Sequence, residues 1–432
     1  MLCFLSNYPV LSETFVVRQI RGMIDLGHQV TIITGQHDLS VDDPLSGAAR
    51  IVSVRANTGG SSPIAHLLKK SARLLLGAQS GKSRRRIRAG LTGLRDGIVA
   101  PIVDILSVGE QGLGHFDAII AHFGPAGVRA MYLRDAGLIS GPIATVFHGL
   151  DVTEHSLVKK FLPHYRRLFT QTESLLPISE LWKKKLIGWG ADPAMITVHR
   201  MGVDVSDFPM PQPRRGAAGP LRLLTTARFV QKKGLIYAIN AMCAAPGDPH
   251  LSIIGYGPLE KELREAAAAC PARVTFLGKI PHREVLAELK RSDVFLLPSV
   301  VADNGDMEGI PVSLMEAMAL GVITVSTWHS GIPELIDDGV EGFLVEERNA
   351  GQIADIITTI RSGRWIWRAC GWRHAPRSSA NSTIGNSIPD SSRLHSRLPA
   401  SFRRRSRYAW RKRCPDAHLL ASPRRMARCF SG

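Results

Sequence analysis

The sequence predicts an α/β protein made of two doubly wound, Rossmann-like domains in tandem, followed by an irregular tail. Along residues 1–360, short apolar runs without alternation recur, each followed by an amphipathic stretch. Parallel strands covered by helices on both faces read this way. The series is interrupted once, by the Pro- and Gly-rich segment PMPQPRRGAAGP, which has the composition of a linker. A chain of 432 residues also exceeds one ordinary domain and suits two. The expected boundaries are a first domain over 1–205, a linker over 206–221, a second domain over 222–360 and an Arg-rich, disordered tail over 361–432.

Leu2–Leu5 is the first expected strand. A helix follows from about Ser12, because Val16, Ile20, Met23 and Ile24 share one face, and Gly27 stands where a helix end favours a left-handed residue. Further strands are expected at Val30–Thr34, Ala118–His122, Ile143–Phe147, Leu175–Ile178 and Ile196–His199. Beyond the linker they are Leu223–Ala227, Leu251–Ile254, Val274–Leu277, Val294–Leu297, Val322–Ser326 and Gly342–Val345. Helical patterns cover Lys261–Ala269, Arg283–Ser292, Pro311–Leu320 and Ala350–Ile360.

Charge is distributed unevenly. The net charge is +17, but residues 361–432 hold 17 Lys and Arg against two acids, which leaves only +2 for residues 1–360. A near-neutral body gives no reason to expect nucleic-acid binding by the folded part. Residues 44–95 contain no acid, and Leu67–Arg95 interleaves leucines with Lys and Arg. Such a stretch can lie on anionic lipid; a solvated helix on the first domain explains it equally. The start MLCFL is too short for a signal-peptide core, and no apolar run approaches the roughly 20 residues that cross a bilayer. The six cysteines form no CxxC pair, so neither a zinc site nor a disulfide framework is expected, which fits a reducing cytoplasm.

Ligands of doubly wound domains bind at the carboxyl ends of the strands, and two facing domains make a cleft there. The strongest local signal is DMEGIPVSLMEA, residues 306–317. Pro311 suits a first helical turn, Gly309 permits close backbone approach, and the free N–H groups of a helix start can take a phosphate. Glu308 and Glu316 would then flank a site where two carboxylates grip hydroxyls; a capped helix with surface glutamates fits the same pattern. In Arg228-Phe229-Val230-Gln231-Lys232-Lys233-Gly234, basic side chains at a strand end can pair with a diphosphate or simply meet solvent. Gly255-Tyr256-Gly257-Pro258 is a glycine turn at a strand end, and an ordinary tight turn explains it as well. His148, ending a strand, can bond a sugar, move a proton or be structural. Ser12, Glu13 and Thr14 precede the first helix, where capping accounts for them and an acceptor contact is the weaker alternative. No Asp-x-Asp follows a strand, so no metal and no cofactor are expected.

Taken together, these residues resemble the family-four glycosyltransferases of the GT-B fold, especially those of exopolysaccharide and colanic-acid synthesis. The resemblance runs from about Leu2 to Ile360 through YPVLSETFVVRQIRGMIDLGHQV, AHFGPAGV, FHGLDV, LLPISELWKKKLI, ITVHRMGVD, ARFVQKKG, IIGYGP, EGIPVSLMEAMALG and SGIPELIDDG. It implies a retaining, metal-independent hexosyl transfer from a nucleotide sugar to a lipid-linked saccharide at the cytoplasmic side of the inner membrane. By that resemblance Glu308 contacts the transferred sugar, Glu316 holds the ribose, and Arg228 and Lys233 neutralise the diphosphate. Gly309, Ile310 and Pro311 would line the sugar phosphate, Gly255 and Gly257 would sit at the donor, and His148 would lie beside the anomeric carbon. Retention is pictured in this family as front-face attack, with the leaving phosphate assisting deprotonation of the acceptor. A nucleotide-sugar epimerase of related architecture, or an inactive relic that still binds nucleotide, is the alternative. The chain departs from the family after about Ile360, where the Arg-rich sequence reads like translation in a shifted frame.

Overall fold

A computed structural model describes residues 1–10, 14–37, 43–54, 80–108, 112–208 and 220–362. Ser12 and Glu13, the first part of the basic stretch, most of the linker and the tail beyond Ser362 lie outside the described residues. In the first half, β1 (Leu2–Tyr8), β2 (Thr31–His37), β3 (Arg50–Ser53), β4 (Ile119–His122), β5 (Ile143–Phe147) and β6 (Ser174–Pro177) form one sheet in the order β3-β2-β1-β4-β5-β6. In the second, β7 (Arg222–Thr226), β8 (His250–Ile254), β9 (Val274–Gly278), β10 (Val294–Leu296), β11 (Ile323–Thr327) and β12 (Gly342–Val345) repeat it as β9-β8-β7-β10-β11-β12. Every pairing in both sheets is parallel. Each sheet reverses its direction of growth between its first and fourth strands, and loops leaving those two strands diverge to open a crevice.

The apolar runs form strands whose two faces are both covered. β4, β5, β6, β10 and β12 are buried along their whole length, whereas the edge strand β9 leaves Thr275 and Leu277 exposed. In the second half, neighbouring residues feed opposite layers. Leu223, Leu251, Leu296 and Val325 pack under the helices Leu235–Ala244 and Ala350–Arg361. Leu224, Ile254, Phe295 and Leu297 pack against His282–Arg291 and Val312–Ala319. In the first half, the helix Thr14–Asp25 buries Val16, Ile20 and Met23, and Gly27 takes φ +85° just beyond its end.

The helix Gly124–Asp135 is buried on most of its surface and lies unusually close to the sheet. A Cβ on Gly127 would stand 2.4 Å from Thr145 Oγ1 of β5, and one on Gly124 would stand 2.6 Å from the Tyr165 ring. The small residues of AHFGPAGV thus set how near this helix approaches β5, and with it the positions of the loops after β4 and β5.

Four expectations need correction. Ile196–His199 is not a strand: it runs beside β6 with bonds Thr197 N–H to Leu175 O and His199 N–H to Pro177 O, and then leaves the sheet. A strand is present where none was expected, at β3, whose edge position exposes it and removes the apolar run that marks its neighbours. Cys243 and Cys270 are joined in a disulfide, with Cα atoms 5.4 Å apart; their separation of 27 residues carries no local motif. Pro311 precedes the helix Val312–Ala319 as its cap instead of entering its first turn. No described helix is long and apolar enough to cross a membrane.

Close packing at Gly127 makes a measurable demand. Gly127→Ala should destabilise the protein by about 1–3 kcal/mol through overpacking against Thr145 and Leu168. Urea denaturation checks this, and an unchanged midpoint would mean the helix can simply back away.

Candidate active site

The loop leaving β7 carries Arg228 to Gly234 and includes the short turn Gln231–Lys233. Lys233 Nζ lies 2.8 Å from Glu308 Oε2, and Lys232 Nζ lies 3.0 Å from Asp306 Oδ2 and 3.7 Å from Glu308 Oε1. Glu308 is 6% exposed. Burial alone would raise its pKa, but the Lys233 and Lys232 ammonium groups outweigh that and hold it below the ordinary glutamate value. Asp306 goes the other way: burial raises it more than Lys232 lowers it.

The peptide of Glu308 is held as tightly as its side chain. Its N–H donates to His329 Nε2 at 3.0 Å, and its carbonyl accepts from Ser330 Oγ at 2.5 Å. Because Nε2 must accept, the His329 proton sits on Nδ1 and is donated to Glu347 Oε1 at 2.6 Å. Glu347 also takes the Val301 N–H at 2.9 Å, tying the loop after β10 to the same anchor.

From the first half comes His148, at the end of β5. Asp151 accepts N–H groups from Gly124 (2.8 Å), Gly149 (2.9 Å) and His148 (3.0 Å), joining the loop after β5 to the start of the helix after β4. Burial raises the Asp151 pKa against the pull of these bonds. The His148 ring lies between Phe15 and Phe123, at centroid distances of 4.9 and 4.5 Å, with Nε2 3.1 Å from His122 Nδ1. Burial holds His148 well below the usual histidine pKa and lowers His122 to about 3 and His199 to about 4.

The two halves meet at these loops. A Cβ on Gly309 would stand 2.3 Å from the His148 carbonyl oxygen, so only glycine fits. Met307 N–H donates to Thr153 Oγ1 at 3.2 Å, and His155 N–H to Asn304 O at 2.9 Å. Arg18 reaches Glu316 at 3.2 Å, and Glu316 also meets His282 Nε2 at 3.0 Å. Glu334 accepts the N–H groups of Glu180 and Leu181 at a helix start and pairs with Arg200 at 3.0 Å.

Of the residues singled out from the sequence, Glu308, Lys233, Gly309 and His148 come together. Ile310 is buried against the core below them, and Pro311 caps the helix beyond. Gly255 and Gly257 take φ +138° and +157° and pack on the backbone of Ala227–Phe229, so they shape the loop that carries Arg228 and Lys233. Arg228 is exposed and, among the described residues, has no ion-pair partner. Glu316 is buried, bonded to the part-buried Arg18 and the exposed His282, and shares no bond with the Glu308–lysine network. Thr14 opens its helix; Ser12 and Glu13 are outside the described residues. Sequence reasoning missed Arg18, His122, Asp151, Lys232, Asp306, His329 and Glu347 as partners. Arg18, His122, Asp151, Lys232 and Asp306 stand inside motifs already noted, yet nothing in their spacing announces the contacts. Among the described residues, no group of three His, Cys, Asp or Glu side chains is arranged to hold a metal ion.

A family model described as "Glycosyl transferases group 1" matches residues 212–365. WcaL of Escherichia coli strain K12, a glycosyltransferase named for colanic acid biosynthesis, is 38% identical over 362 residues, covering 81% of this chain and 88% of WcaL. AmsK of Erwinia amylovora, an amylovoran biosynthesis glycosyltransferase, is 37% identical over 372 residues, covering 83% of this chain and 90% of AmsK. Among solved structures, Anabaena HepE in complex with UDP-glucose superposes with a TM-score of 0.63 at 16% identity, covering 92% of this chain and 99% of that one. Sucrose-phosphate synthase from Thermosynechococcus elongatus gives 0.65 at 15%, covering 92% and 98%. At such identities the likeness is one of fold, and the fold is GT-B.

The buried histidines make stability depend on pH. Unfolding frees these rings to bind protons from about pH 6.5 downward, while in the fold His122 and His199 take them up only near 3 and 4. Their contribution is therefore complete above pH 6.5 and is lost on acidification. The melting temperature should fall between pH 7 and pH 5, less steeply in His199→Gln; parallel profiles for the two proteins would contradict this.

Proposed function

The chain belongs to the group 1 glycosyltransferases, and on that premise we propose that it transfers a hexose, with retention, from a nucleotide-diphosphate sugar to a lipid-linked oligosaccharide in exopolysaccharide assembly of the colanic-acid type. Residues 1–205 would form the acceptor side and residues 222–360 the nucleotide-sugar side. The observation that carries the reading is the pairing of Lys232 and Lys233 with Glu308 where Gly309 meets His148. A donor diphosphate brings negative charge that lysines at a strand end can meet, with Arg228 exposed beside them. The names of WcaL and AmsK support the pathway.

In this reading the bond between the anomeric carbon and the diphosphate oxygen breaks while the acceptor oxygen bonds to the same face of the sugar. The acceptor proton passes to the leaving phosphate, whose charge Lys233, Lys232 and Arg228 stabilise, so no metal is required. Glu308 orients the sugar hydroxyls, Glu316 takes the ribose after exchanging its bond with Arg18, and His148 contacts the sugar from the other half. Gly309, Ile310 and Pro311 lie along the sugar phosphate, while Thr14 faces the acceptor.

The lipid-linked acceptor gives the basic stretch a role at the cytoplasmic membrane surface. Its described part, the helix Gly81–Arg95, buries Ala89, Gly90 and Gly93 and leaves Arg88 and Arg95 exposed, with Leu91 59% and Leu94 48% exposed. Cations beside unburied leucines suit anionic lipid, with each cation contributing about 1 kcal/mol.

Two measurements test these assignments. In a thermal-shift panel of UDP-, GDP- and ADP-sugars, one donor should raise the melting temperature; at a hundredfold excess over Kd the gain is about 2.7 kcal/mol. Glu308→Gln should lower kcat by about a hundredfold or more with the fold intact, and near-normal turnover would remove Glu308 from the site. Separately, Arg88→Glu with Arg95→Glu should weaken co-sedimentation with phosphatidylglycerol vesicles while leaving transfer to a soluble acceptor unchanged; undiminished vesicle binding would reject the membrane contact.

A further inference from the structure

Arg18 and Glu316 are 298 residues apart, one on the helix Thr14–Asp25 of the first half and the other on the helix Val312–Ala319 of the second. A single oxygen, Glu316 Oε1, accepts from Arg18 Nη2 at 3.2 Å and from His282 Nε2 at 3.0 Å. Both lone pairs of that oxygen are thereby used. His282 begins the helix His282–Arg291 and so belongs to the same half as Glu316, whereas Arg18 reaches it from the other half. The second arm of the guanidinium, Arg18 Nη1, is buried and has no hydrogen-bond partner among the described residues.

An arginine–carboxylate pair built for permanence has a different geometry. Within the first half, Arg129 grips Asp104 through two bonds, Nε to Oδ2 at 2.6 Å and Nη2 to Oδ1 at 2.7 Å, the two-pronged match in which such pairs are strongest. Arg18 makes one longer bond and leaves a buried N–H without an acceptor, a defect that offsets part of what the pair contributes. Glu334, another carboxylate shared between the halves, bonds two backbone N–H groups besides Arg200. Glu316 has no such backbone bonds to the first half, only Arg18. Should Arg18 leave, Glu316 keeps His282, so the exchange does not strand a buried charge without a partner.

We propose that Arg18 is an inhibitory latch, which bridges the two halves by occupying Glu316 and competes with the donor's ribose for that carboxylate. The inference rests on Glu316 holding the ribose, as proposed above. The two vicinal hydroxyls of a ribose need both carboxylate oxygens, and Oε1 has no lone pair to spare until Arg18 or His282 withdraws. Arg18 is the one to withdraw, because it comes from the opposite half and its guanidinium is only partly engaged. Nucleotide and latch then exclude each other, and by linkage each weakens the other to the same extent. The free enzyme keeps its ribose carboxylate occupied, and the donor that fills the site releases the first half from it.

Calorimetric titration of the full chain with UDP, GDP and ADP tests this without any measurement of activity. For the nucleoside diphosphate that binds, Arg18→Gln should bind about fivefold more tightly than the unmodified protein, the upper end of what a solvent-accessible ion pair contributes. Arg18→Lys, which keeps the charge, should stay near the unmodified protein. The 2′,3′-dideoxy form of the same nucleotide offers Glu316 no hydroxyl and should bind Arg18→Gln and the unmodified protein alike. Unchanged affinity of Arg18→Gln for the hydroxyl-bearing nucleotide would overturn the latch, as would an equal gain for the dideoxy form. Weaker binding of both forms would overturn it too and make Arg18 a phosphate ligand. Should Arg18→Gln fail to fold, Arg18→Met, also uncharged, takes its place with the same expected outcomes. Failure of the underlying reading shows separately: Glu316→Ala should abolish the preference for the hydroxyl-bearing form, and a preserved preference would remove the ribose from Glu316. Binding of none of the three nucleotides would reject the nucleotide-sugar reading itself.

Discussion

Glu308 is almost entirely removed from water, and its charge survives because Lys233 stands 2.8 Å away with Lys232 behind it. A buried carboxylate without such partners would take up a proton. The network therefore connects two loops that are far apart in sequence, the one after β7 and the one before the helix Val312–Ala319. His329, Ser330 and Glu347 complete the arrangement by holding the Glu308 peptide from the opposite side. With both its backbone and its carboxylate anchored, Glu308 can act as a rigid reference point for a ligand, which is what preorganisation requires.

Around this anchor the two halves touch through several polar contacts. Arg18 with Glu316, Arg200 with Glu334, and Met307 N–H with Thr153 each pair a group from one half with one from the other. Contacts of this kind are short-range and individually modest, so they can be exchanged when a ligand brings its own charges. Glu316 illustrates the point. Its carboxylate is occupied by an arginine from the opposite half, and a ribose hydroxyl would have to compete for it.

The fold was legible because parallel, doubly covered sheets write themselves into sequence as repeated apolar runs. Eleven of the twelve sheet strands coincide with such runs. The exception, β3, is a four-residue edge strand with only partial burial, so its apolar signal is short and discontinuous. Ile196–His199 misled for the converse reason: its residues are apolar because they pack beside β6, yet only two backbone bonds follow the sheet. Glu308 and Gly309 could be singled out from their place before a helix start, and Lys233 from its place after a strand. Their pairing could not, since which charged loop residues meet is decided only when the chain folds, and His329 and Glu347 carry no local signal at all.

By itself, the sequence determined two parallel α/β sheets, the strand ends where a ligand would lie, and a set of charged and glycine residues at those ends. Periodicity and strand-end position are local properties, and they can be read along the chain. Only the tertiary structure decided that Lys233 neutralises Glu308, that Arg18 occupies Glu316, and that His122 stands against His148. Those outcomes depend on distances between segments up to 298 residues apart and on how completely each group is removed from water, and neither is a local property of sequence.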